Sequence, residues 1–128
     1  MTELEKKPVV LAVDDTPENL DVVKGLLSAQ YVVKAAINGM MALKIAEKQL
    51  PDLILLDIRM PNMDGYEVCR KLKANEATAD IPVIFLTGES DAASEADALE
   101  VGAAGYITKP IDPDALLAKI NGCLSPDQ

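Results

Sequence analysis

Residues Pro51–Lys73 read PDLILLDIRMPNMDGYEVCRKLK. An unbroken apolar run, Leu53–Leu56, stops at Asp57, and a loop punctuated by Pro61 and Gly65 follows. Val68, Cys69 and Leu72 then return at helical spacing. A strand that is apolar without alternation is buried on both faces, as in a parallel sheet covered by helices. The pattern repeats outward from this stretch. Val9–Val13 ends in Asp14–Asp15, Val83–Leu86 in Thr87, and Gly105–Thr108 in Lys109. In an open α/β sheet, groups just past the carboxyl ends of the strands meet in one crevice. That crevice would hold three carboxylates, one hydroxyl and one ammonium. Carboxylates a few ångströms apart repel one another strongly. A hard divalent cation with oxygen ligands resolves the repulsion, and Thr87 with Lys109 can hold an anion beside it. The pattern predicts a magnesium-dependent phosphoryl site.

Composition narrows the class. The 128 residues make one domain, 1–128, with a core expected over 8–124. Hydrophobic residues are 49% of the chain, yet there are only three Tyr, one Phe and no Trp, so the core is aliphatic. A net charge of −9 excludes the basic footprint of direct nucleic-acid binding and opposes anionic membranes. No apolar stretch approaches the roughly 20 residues of a membrane span, and the opening MTELEKK is too charged for a secretory signal. A cytoplasmic location is the expectation, with Cys69 and Cys123 as reduced structural thiols. The chain has no histidine. It therefore has no phosphohistidine, no histidine base and no imidazole-ligated metal of its own.

The elements alternate strand and helix five times. Strands are expected over Pro8–Val13, Tyr31–Ile37, Asp52–Ile58, Ile81–Leu86 and Tyr106–Thr108. Thr16-Pro17-Glu18-Asn19 opens the first helix with a capping hydroxyl and Pro in its first turn, and Leu20, Val23, Leu26 and Leu27 form its apolar stripe. Asn38-Gly39 leads into a second helix carrying Met41, Leu43, Ile45 and Leu50. The third helix is Tyr66–Ala74. Ala92–Val101 is an alanine-rich helix with little apolar payload, hence a candidate moving part. Asp112-Pro113-Asp114 caps the last helix, with Leu116, Leu117, Ile120 and Leu124 turned inward. Such βα units wind into a doubly wound sheet through right-handed crossovers.

Four segments, VLAVDDTPENL, PDLILLDIRMPNMDGYEVCRKLK, IPVIFLTGES and GAAGYITKPI, resemble the receiver domain of bacterial two-component response regulators, of the chemotaxis-regulator type. The resemblance runs from Val9 to Leu124. It implies a flavodoxin-like (βα)5 fold with strand order 2-1-3-4-5. It also implies that Asp57 accepts a phosphoryl group from a histidine kinase or histidine phosphotransfer protein. Asp15 would ligate Mg2+ directly and Asp14 through water, with Asp57 and the backbone carbonyl of Arg59 completing the set. Thr87 and Lys109 would stabilise the phosphoryl group. Thr87 and Tyr106 would carry the switch to an output face on Ala92–Val101, Tyr106–Thr108 and Asp114–Leu124, read by a downstream protein or output domain. The Lys109-Pro110 bond is cis in the family. Arg59 and Glu89 stand at the crevice mouth, either as a partial gate against hydrolysis or as unrelated surface charges. Phosphorylation-dependent dimerisation is left open.

The first two motifs are also similar to receivers that precede HD-GYP or diguanylate cyclase domains. The chain thus reads either as a single-domain regulator, favoured slightly by its Met start and short polar tail, or as the receiver of a longer protein. A receiver used only for docking is a further alternative. A flavin carrier would need hydroxyls and backbone amides where Asp14, Asp15 and Glu18 stand. A haloacid-dehalogenase-type phosphatase would need an Asp where Arg59 stands. The role expected is signalling rather than metabolic turnover.

Overall fold

The computed structural model describes residues 7–87, 100–108 and 111–124. Five parallel strands form one sheet in the order β2-β1-β3-β4-β5: β1 Val9–Val13, β2 Val32–Ala36, β3 Leu53–Asp57, β4 Val83–Thr87 and β5 Gly105–Thr108. The described helices are α1 Pro17–Leu27, α2 Gly39–Gln49, α3 Gly65–Ala74 and α4 Pro113–Leu124. Glu89, Lys109, Pro110 and most of the helix expected over Ala92–Val101 lie outside the described residues, as does the side chain of Thr87.

Alternation along each strand sorts the core into two layers. Leu11, Val13, Ile54, Leu56, Val83 and Phe85 face one side, where Ala42 and Ala46 of α2 and Val68, Cys69 and Leu72 of α3 cover them. Val10, Ala12, Leu53, Leu55, Ile84 and Leu86 face the other, beneath Leu20, Val23 and Leu27 of α1 and Leu116 and Ile120 of α4. Both faces are dry, which is why the strands read as continuous apolar runs. The two thiols fall on opposite faces, and both are free. Burial pushes each above its ordinary range.

Two expectations need correction. Met41 and Leu50 are exposed rather than in the core. The buried stripe of α2 is made of small residues, Gly39, Ala42 and Ala46. A Cβ on Gly39 would lie 2.8 Å from Met63 Sδ and Val68 Cγ2, so only a small face lets the helix start this close to α3. Met41 consequently points outward. Leu50 lies past the last turn, as a C-cap with left-handed φ of 34°. The second correction is at Thr16, which is the N-cap of α1 but makes no side-chain capping bond. Its amide instead donates to Asp14 Oδ1 at 3.0 Å.

Tyr31 falls just before β2 and is buried. Its hydroxyl pairs with Asn121 Oδ1 and so ties the sheet edge to α4.

Candidate functional site

Strand register builds the site. Val13 of β1 is level with Leu56 of β3, so one step further along places Asp14 beside Asp57. Asp57 is level with Leu86, which puts the backbone of Thr87 one residue beyond it. Thr87 in turn is level with Thr108, so β5 ends at the same end of the sheet. Asp14 and Asp57 are 2% and 6% exposed, whereas Asp15 is open to solvent. One carboxylate oxygen from each of the three lies within 4.8 Å of the others.

The start of α1 wraps Asp14. Its Oδ1 accepts the Thr16 amide and its Oδ2 accepts Asn19 Nδ2 at 3.1 Å. The Asn19 amide donates to the Thr16 carbonyl at 3.0 Å, closing the turn, and Pro17 sets the first helical residue. From sequence, Asn19 is only part of a helix opening. A polar residue in a first turn is ordinary, and its partner five residues back is not visible without the fold.

The loop after Asp57 folds back on the end of β3. The Gly65 amide donates to the Ile58 carbonyl at 2.8 Å. A Cβ on Gly65 would lie 2.5 Å from the Asp57 carbonyl oxygen and 2.8 Å from Ile58 Cα, so only glycine fits. Asp64 caps α3 by accepting the Glu67 amide at 3.0 Å. Between them the Met63 amide donates to the Pro61 carbonyl at 2.7 Å across Asn62, whose φ is 70°. Asn tolerates that left-handed backbone better than most side chains. Arg59, exposed, starts this loop and places its carbonyl two residues beyond Asp57.

Tyr106 is half-buried and level with Phe85. It packs on the α2–α3 side of the sheet, where Phe85 also meets Tyr66 edge-on with centroids 5.3 Å apart. A cavity of about 720 Å³ lies further along α3, lined by Tyr66, Arg70, Ala74, Glu100 and Val101. Its lining includes none of Asp14, Asp15 and Asp57.

Three carboxylates, two of them buried, form a hard oxygen donor set that fits a divalent cation and not a soft metal. The described helices include none long and apolar enough to cross a membrane.

Residues 10–121 match the family model of the response regulator receiver domain. The chain is 43% identical over 112 residues to the response regulator PleD of Caulobacter vibrioides, covering 87% of this chain and 25% of PleD. It is equally identical, over 112 residues, to a probable cyclic di-GMP phosphodiesterase of Vibrio cholerae, covering 88% of this chain and 25% of that protein. The chain thus spans about a quarter of the length of these relatives. Among solved structures, the chemotaxis protein CheY4 of Vibrio cholerae superposes with a TM-score of 0.87 at 32% identity, over 93% of this chain and 100% of that one. The receiver domain of a signal transduction histidine kinase from Syntrophus aciditrophicus gives 0.85 at 37% identity, over 93% and 91%. The strand order, the acidic crevice at the strand ends and the family match together place this chain in the response regulator receiver domain family.

Proposed function

We propose that Asp57 is the phosphoacceptor of this receiver and that Mg2+ is the cation its crevice takes. The observation that carries the reading is the gathering of Asp14, Asp15 and Asp57, with the Asp57 carboxylate buried at a strand end. Asp14, Asp15, Asp57 and the Arg59 backbone carbonyl are the residues that would hold the ion, with Asp14 acting through water. When bound, the ion neutralises charge on the acceptor and on the incoming phosphoryl oxygens.

The chain's own groups account for the rest. An Asp57 carboxylate oxygen attacks phosphorus in line with the bond that breaks. With a phosphohistidine donor the new bond is O–P, the broken bond is N–P, and the donor imidazole leaves and takes up a proton. The histidine must belong to the partner, because this chain has none. A histidine kinase or histidine phosphotransfer protein meets that requirement. Thr87 donates its hydroxyl to a phosphoryl oxygen, and Lys109 offsets the negative charge that persists in the product. Drawing the Thr87 loop toward the phosphoryl group frees room for Tyr106 to turn inward, which changes the face offered to an output partner. By the family resemblance, Arg59 and Glu89 act as a partial gate that slows attack of water on the aspartyl phosphate. The chain's role is signalling, in the cytoplasm, with self-catalysed phosphorylation and dephosphorylation.

A second reading has support from the relatives. PleD and the phosphodiesterase are much longer than this chain, so the receiver can equally serve as the input part of a regulator of a cyclic-dinucleotide enzyme. The site chemistry is the same in both readings.

Intact-mass spectrometry after incubation with acetyl phosphate tests the core of the reading. One Mg2+-dependent phosphoryl adduct is expected on the wild type and none on Asp57→Asn. An adduct that survives in Asp57→Asn rules out this assignment. No adduct on the wild type, with acetyl phosphate or with a phosphohistidine donor, leaves only the docking role.

A further inference from the structure

The hydrogen bond from Asn19 to Asp14 has a role beyond opening α1. We propose that Asn19 is a positioning residue for the cation site, holding the Asp14 carboxylate in the orientation that the ion requires. The inference rests on the magnesium reading above and names a residue which that reading does not use.

Asp14 is almost fully buried and shares a space of a few ångströms with two other carboxylates. Mutual repulsion favours turning its oxygens away from Asp57. The main chain at Thr16 restrains only Oδ1, through one amide at 3.0 Å. Asn19 Nδ2 at 3.1 Å holds Oδ2 as well, so the two bonds together oppose rotation of the carboxylate about its own axis. The amide face is dictated by charge, since an ionised carboxylate accepts only and must meet the NH2 side of the carboxamide. The donor also offsets negative charge while adding none to the helix start. A side chain one or two atoms shorter would not span the gap. Each carboxylate oxygen offers a second lone pair, so both donors can remain while Asp14 receives a cation-bound water.

Asn19 is itself held in place. Its amide is fixed on the Thr16 carbonyl, and Leu20, the next residue, is anchored in the core on the sheet. The segment Asp14–Leu20 is therefore a small brace between β1 and α1. Groups that orient a ligand carboxylate are typically worth 10–100-fold in metal affinity.

The test is isothermal titration of Mg2+ into the full chain, wild type and Asn19→Leu, with Asn19→Ser as a second variant. It is paired with the Mg2+ dependence of phosphorylation by acetyl phosphate. The expected result is about tenfold weaker Mg2+ binding in both variants. The half-saturating Mg2+ concentration should rise equally, while the maximal phosphorylation rate stays within about twofold. Urea unfolding without Mg2+ identifies any variant that has lost its fold. A residue that only starts the helix would lower the urea midpoint and leave Mg2+ affinity unchanged, and that result overturns the proposal. So does a fall in maximal rate with unchanged half-saturation. A wild-type chain that binds no Mg2+ overturns the magnesium reading itself, an outcome distinct from equal binding by wild type and variants.

Discussion

Replacing Gly65 by Ala and Gly25 by Ala should shift stability in opposite directions. Both glycines lie in helices, Gly65 opening α3 and Gly25 within α1. On Gly25 a new Cβ meets nothing within 4 Å, so Ala should stabilise by the helix propensity difference, up to about 1 kcal/mol. On Gly65 the new Cβ would lie 2.5 Å from the Asp57 carbonyl oxygen and 2.8 Å from Ile58 Cα. Both atoms are backbone and neither can swing aside. Relief requires α3 or the end of β3 at Asp57 to move, which also stretches the 2.8 Å bond from the Gly65 amide to the Ile58 carbonyl. Overpacking of this kind costs roughly 1–3 kcal/mol, more than the propensity gain at a helix start. For a chain of this size 1 kcal/mol moves Tm by about 4 °C. Differential scanning calorimetry should therefore show Gly65→Ala lower by roughly 4–12 °C and Gly25→Ala higher by a few degrees. Since the displaced atoms belong to Asp57 and Ile58, Gly65→Ala should also slow phosphorylation by acetyl phosphate at a temperature where it is fully folded. A Gly65→Ala protein as stable as wild type would refute the close approach, and with it the claim that glycine is demanded by space.

Two further outcomes follow from local backbone and burial. Leu50 ends α2 with φ of 34° and is 52% exposed, so Leu50→Gly trades little packing for release of left-handed strain and should raise the urea midpoint by about 0.5–1 kcal/mol of stability; a lower midpoint means its side chain packs better than its exposure suggests. Burial pushes the Tyr31 phenol above its ordinary value of 10.0, so the folded state favours the neutral form. That contribution is complete below the unfolded-state value and is lost as pH rises through the higher folded value. Tyr31→Phe should cost roughly 0.5–1.5 kcal/mol at pH 8 through the lost bond to Asn121, and the gap to wild type should narrow as urea midpoints are followed into the alkaline range. A constant gap across that range would show that the phenol is not held neutral.

The strands and their order were legible because both faces of the sheet are buried. A run such as Leu53–Leu56 cannot be an amphipathic helix, and its end is marked by the first residue that must stay polar. Observed strand bounds therefore differ from the expected ones by no more than two residues, as where β4 begins at Val83 rather than Ile81. Asp14, Asp15 and Asp57 were legible for the same reason: a charged residue directly after a buried strand has nowhere to go but the sheet's end. The core face of α2 was not. Hydrophobicity drew attention to Met41 and Leu50, whereas close approach to α3 selects Gly39, Ala42 and Ala46. Small residues carry no hydrophobic signal of their own. The capping role expected of the Thr16 hydroxyl failed for a related reason. A hydroxyl before a helix normally caps it, but here Asp14 has taken the Thr16 amide, and competition of that kind is settled in three dimensions.

The register of the sheet explains why so much local bonding is gathered around Asp14. With carboxylate oxygens within 4.8 Å, two charges in surroundings of effective dielectric about 20 repel by roughly 3–4 kcal/mol. On a loop, that repulsion would be relieved by a shift of backbone. Here β1 and β3 are paired residue for residue, and a slip by one would turn every core side chain to the wrong face. The strands therefore hold Asp14 and Asp57 together against their repulsion. Relief can come only from groups brought to them. The Thr16 amide and the Asn19 carboxamide supply part of it permanently. Charge concentrated at rigid strand ends, with its donors on the helix that follows, makes the crevice responsive to what binds there while the core beneath stays fixed.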